Sequence, residues 1–102
     1  MKLSVMERLV MLNTLPAEGN FATLKLVRQL REELSFDEEE HKQLNFIQDG
    51  EQVHWDESIS LVKDCVIGEK MTDLVVEELK KLDMEGKLKD EHFLLYEKFV
   101  EN

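Results

Sequence analysis

What is scarce in this chain narrows its class before any motif is considered. A single cysteine, Cys65, excludes an intramolecular disulfide and points to a reducing, cytoplasmic setting. With one proline and four glycines, long stretches are free to form helix, and few glycines remain for a phosphate-cradling loop. No apolar run approaches the roughly 20 residues that cross a bilayer, so no membrane partner is expected. The apolar residues up to Leu15 are interrupted by Glu7, Arg8 and Asn13, with no small-residue cleavage site after them, which argues against a signal peptide. Basic residues are also short, 13 Lys and Arg against 23 Asp and Glu, for a net charge of −10 at pH 7. Direct nucleic-acid binding is not expected, because it needs clustered cations to displace counterions from phosphates. The nucleophile elbow G-x-S-x-G, the HExxH helix and the paired Cys-x-x-Cys are all missing. The expectation is a protein that is not an enzyme and takes no cofactor or metal.

What is present fits one domain over residues 1–102, large enough to bury roughly 60 to 70% of the surface its extended chain would expose. Charge is segregated along it. Residues 1–31 hold five bases (Lys2, Arg8, Lys25, Arg28, Arg31) and two acids (Glu7, Glu18), a balance of +3; the remaining 8 bases and 21 acids give −13. Such asymmetry favours contact between the two parts, within one chain or head to tail between copies.

Ser4-Val5-Met6-Glu7 has the form of a capping box and predicts a helix that stops before Pro16. Val5, Met6, Leu9, Val10, Met11, Leu12 and Leu15 cover most of its circumference, so it is either central or in contact with another chain. LPAEGN reads as a turn, with Asn20 capping the amphipathic helix FATLKLVRQLREEL. Its apolar arc holds Leu24, Leu26, Val27, Leu30 and Leu34, and Arg31 intrudes on that arc.

SFDEEEHKQL sets four acids beside His41, which suggests a metal site, a phosphate mimic or a helix start. Asp37 with Glu40 three residues on favours the helix start, with Phe36 as an apolar staple on His41 and carboxylates at the positive end of the dipole. FIQDGEQVHW predicts a hairpin turning at Asp49-Gly50, with Gln48 opposite Glu51, Phe46 opposite Val53, and His54 pointing outward. Residues 59–67 are ambiguous between a third strand and a helix capped by Asp56; their Val, Cys and Ile favour the strand. EKMTDLVVEELKKLDMEGK is a helix with Gly86 as its stop, and DEHFLLYEKFVE a last one. The fold class expected is α+β and mainly helical, about five helices with a small antiparallel β-hairpin or three-stranded meander in the middle.

Three polar residues fall on faces read as buried: Arg31, Glu78 and His92. Buried charges need partners, so Glu78 is expected to pair with Arg31 or His92, unless each lies at a core margin. The candidate interaction residues are Val5, Leu9 and Leu12 on the over-apolar first helix and Lys25, Arg28 and Arg31 on the second.

The segments LPAEGNFATLKLVRQLREELSF, GEQVHWD, IGEKMTDLVVEELKKLD and LYEKF together resemble a group of small proteins of tailed bacteriophages and prophages of Gram-positive bacteria, of unknown function. Lys89 departs from that pattern, which has a hydroxyl residue capping the last helix, a role left to Asp90. The resemblance implies a phage or prophage protein in the bacterial cytoplasm and assigns no functional residue. Two function classes follow. One is a protein–protein interaction module that self-associates, as a homo-oligomer, or docks on a phage or host protein. The other is an acidic inhibitor that mimics nucleic acid and blocks a host nucleic-acid-binding protein.

Overall fold

The first three helices begin where a side chain can take up the backbone N–H groups that a first turn leaves free. In the computed structural model, which describes residues 1–101, Ser4 Oγ accepts from the Glu7 N–H (3.2 Å) and Glu7 Oε1 from the Ser4 N–H (2.9 Å). That box opens α1 (Val5–Thr14), and Leu15 caps its end before Pro16. Asn20 Oδ1 accepts from the Thr23 N–H (2.9 Å) to start α2 (Phe21–Leu34). Asp37 and Glu40 form a second reciprocal box (2.8 and 3.0 Å) at α3 (Glu38–Leu44), with Phe36 edge-on to His41, 6.3 Å between ring centres. The four acids are a helix start.

After α3 come β2 (Ile47–Asp49) and β3 (Gln52–His54), then β4 (Val62–Asp64), α4 (Glu69–Met84), a short 3-10 turn at Asp90–His92 and α5 (Phe93–Phe99). Helix α4 stops in a Schellman arrangement. Gly86 lies at φ +66°, the Lys87 N–H donates to the Leu82 carbonyl (2.8 Å), and the Gly86 N–H donates to the Asp83 carbonyl (3.0 Å). Ahead of the last helix Lys89 caps the 3-10 turn, its N–H donating to His92 Nδ1 (2.9 Å), and His92 stands at the cap position of α5; Asp90 lies inside the turn.

The architecture is α+β, with five α-helices and two small antiparallel sheets of two strands each among the described residues. Two sequence expectations are corrected here. The hairpin pairs Gln48 with Val53 and Asp49 with Gln52, so its loop is Gly50-Glu51 and not Asp49-Gly50. Only Gly50 of the loop has positive φ, +62°, the pattern of a type II′ turn; the type I′ turn expected for Asp-Gly needs it at both positions. Phe46 therefore faces Trp55, with ring centres 6.4 Å apart, and not Val53. Residues 62–64 do form a strand, but β4 joins no meander. It pairs with β1 (Lys2–Ser4), Leu3 opposite Lys63, a strand the sequence reading missed.

Helix α1 touches α2, α4, α5 and β1, the central of its two expected positions. Val10, Met11 and Leu15 join Leu3, Val27, Leu30, Leu34, Cys65, Leu74, Val75, Leu79, Leu95 and Phe99 in one core. Leu94 and Phe93 both face solvent from α5.

Candidate functional site

Arg8 is the first group that demands an account, since it is 0% exposed. Its Nε donates to the Leu34 carbonyl (3.2 Å) and its Nη2 to the Ser35 carbonyl (2.6 Å), at the end of α2 where carbonyls lack helical partners. Nη1 and Nη2 also grip Glu40 Oε2 and Oε1 at 2.6 and 3.2 Å, and the guanidinium carbon lies 3.8 Å from the Phe36 ring centre. The hydrogen bonds from Arg8, aided by the Asp37 N–H, hold the Glu40 carboxyl below the usual glutamate range despite its burial. One side chain thus ties α1 to the α2–α3 corner. The sequence carried a signal for it: Arg8 follows Val5 by three and precedes Leu12 by four, in the middle of the apolar face.

The expected pairing of Arg31, Glu78 and His92 is not formed. Arg31 is exposed, because the buried arc of α2 is centred on Val27, Leu30 and Leu34 and Arg31 leaves from its flank. Glu78 is half-buried on α4 and joins no ion pair among the described residues. His92 is buried, its Nδ1 accepting from the Lys89 N–H, and it lines with Glu78 an open polar cleft of about 780 Å³. The demand for a partnered buried cation is met at Arg8 instead.

The six candidate interaction residues divide. Val5 is 5% exposed and almost wholly enclosed, reaching the surface only in the wall of a shallow depression; Leu9 and Leu12 are half-buried, and Leu12 packs on the core. Lys25, Arg28 and Arg31 are exposed on α2. The apolar residue that α1 leaves exposed is Met6, at 45%.

Met6 belongs to a larger apolar surface. It borders two adjoining depressions of about 320 and 250 Å³, which share Met6 and Trp55. The first is also lined by Leu9 and Val53 together with the polar Asn13, Gln52 and His54, the second by Ile59 and Val62 together with Ser4 and Ser60, so the surface is mixed. Val53, Ile59 and Val62 are 36, 37 and 57% exposed. Strand β3 lines the groove along its whole length, Gln52 and His54 beside Val53; the aromatic contact of Trp55 with Phe46 anchors the wall, and Asp56 turns the chain toward Ile59, accepting the Ser58 N–H (3.1 Å) and donating its own to the Leu44 carbonyl (2.8 Å). Glu51, Glu91 and Glu57 stand at the rim, and no lysine or arginine lines either depression. Such a groove can hold apolar side chains flanked by cations. Among the described residues, no group of three or more His, Cys, Asp or Glu is placed to hold a metal ion. Of this surface, Val5, Met6, Leu9 and Val10 were legible beforehand, as apolar residues of the first helix; its other wall depends on where the hairpin packs.

Comparison of the chain with protein-family models, with curated proteins and with solved structures found no match.

Proposed function

We propose that the chain is a non-enzymatic protein–protein interaction module of a bacteriophage or prophage, acting in the host cytoplasm, with the acid-rimmed apolar groove as its docking surface. The observation that carries this is that exposed Met6, Val53, Ile59 and Val62 gather around Trp55 in two adjoining depressions whose charged lining residues are all acidic. Apolar recesses with polar rims are the form that partner sites take. The resemblance to phage proteins and a lone, buried, unpaired cysteine support the compartment. No helix among the described residues is long and apolar enough to cross a membrane. The acidic-mimic reading has less support. Glu7 and Glu40 are engaged within the fold, and the exposed acids of α4 share their helix face with Lys80 and Lys81.

A photoreactive side chain placed at Ile59 or Val62 in host cells tests the proposal. Adducts with protein are expected at both positions, lost when Met6→Asp is added, and absent when the group is placed at exposed Glu39 on α3. No adduct at either groove position would defeat the reading.

A further inference from the structure

The groove sets the apolar Met6, Val53, Trp55, Ile59 and Val62 among neutral polar groups and three exposed glutamates, with no cation in its lining, so a well-matched occupant brings apolar side chains flanked by cations. The chain itself displays such a face on α2. Phe21 is 83% exposed and Leu24 36%, and Lys25, Arg28 and Arg31 are exposed with them. At about 100° per residue, Phe21, Leu24, Arg28 and Arg31 recur at the three- and four-residue spacing that keeps them along one flank of the helix. Phe21 opens that helix and lies outside the core, so its ring has no cover within its own chain.

We propose, resting on the docking reading above, that the groove of one copy receives the α2 flank of a second copy. Phe21 and Leu24 enter beside Trp55, and Arg28 and Arg31 meet Glu51, Glu57 and Glu91. Charge selects this pairing over the alternatives. Groove against groove would oppose three glutamates to three, and α2 against α2 would oppose arginines to arginines, and like charges set against each other cost several kcal/mol. The segregation of +3 in residues 1–31 from −13 beyond them gives the same head-to-tail polarity to the whole chain. A contact between two different patches on identical copies is heterologous, and closes into a ring or extends.

Light scattering of the full chain over a range of concentrations, at about 0.15 M salt so that repulsion between the two acidic bodies is screened beyond roughly 8 Å, reads the outcome. The mass is expected to rise to at least twice that of one chain. Phe21→Ser, Arg28→Glu and Glu57→Arg should each weaken association by about tenfold or more, which is about 1.4 kcal/mol. All three positions are exposed, so thermal melts should hardly change. Mixing Arg28→Glu with Glu57→Arg should restore association, since each then supplies the charge the other lacks. A wild-type mass that stays at one chain at every concentration would overturn the proposal. So would association that survives both single reversals, or a mixture that remains apart. If the groove cross-links a different protein while the wild type stays single, self-docking fails and the docking reading stands; if the groove cross-links nothing, both fail.

Discussion

At Arg8 a guanidinium sits where an aliphatic side chain would ordinarily go, and everything around it is arranged to take its donors. Two backbone carbonyls and one bidentate carboxylate leave the charge compensated, and none of the buried side-chain nitrogens and oxygens among the described residues lacks a partner. Breaking such a pair from one side strands the other charge. Arg8→Ala is therefore expected to lower unfolding stability by about 3 to 5 kcal/mol, and Glu40→Gln by about 2 to 3, both read from denaturant curves. The pH dependence follows from the lowered Glu40 carboxyl. The unfolded chain takes up that proton more readily than the folded one, so the contribution of Glu40 is complete above the ordinary glutamate range near pH ~4.3 and is lost as pH falls through the folded value. Wild type and Glu40→Gln should accordingly differ by a constant amount from neutrality to about pH 5 and converge below it. Glu7 adds to the acid sensitivity in the same direction: burial raises its carboxyl, and hydrogen bonds from Lys98 and Ser4 more than offset that.

Among the elements, helix boundaries were legible in the sequence because their causes are local. Ser4, Asn20, Asp37 and Gly86 each act on backbone groups within five residues, so the short stretch containing them is enough. The hairpin register was not, although Asp-Gly is a strong signal. Either Asp49-Gly50 or Gly50-Glu51 satisfies the turn, and the stack of Phe36, Phe46 and Trp55 decides between them. Two glycines that frame α4 make opposite predictions. Gly86, at φ +66°, should cost about 1 to 2 kcal/mol as Gly86→Ala. Gly68 caps the helix at φ −73° with no side-chain bond and open space around it, so Gly68→Asp should add about 0.5 to 1 kcal/mol. Thermal melts of the two variants should move in opposite directions.

Across the whole molecule, one core joins β1 at the chain start to α5 near its end, and Cys65 lies within it, 0% exposed. Burial also pushes the Cys65 thiol up, so little thiolate forms at neutral pH. Labelling of Cys65 by an aromatic disulfide reagent should therefore be slow in the native protein and track global unfolding across a denaturant series. Fast labelling without denaturant would mean that the β1–β4 pair opens independently.

By itself the sequence determined the helical and hairpin segments, the caps that start and stop them, the absence of a disulfide and the polarity of charge, because each depends on residue type and on contacts a few positions away. Tertiary structure alone decided that β4 pairs with a strand some sixty residues earlier, that the surplus apolar face of α1 is mostly enclosed by its own chain, that Arg8 and not Arg31 is the buried cation, and that Met6 shares a groove with Trp55 and Val62. These depend on which faces meet when segments distant along the chain pack together, and many arrangements satisfy the same local rules until the core chooses one.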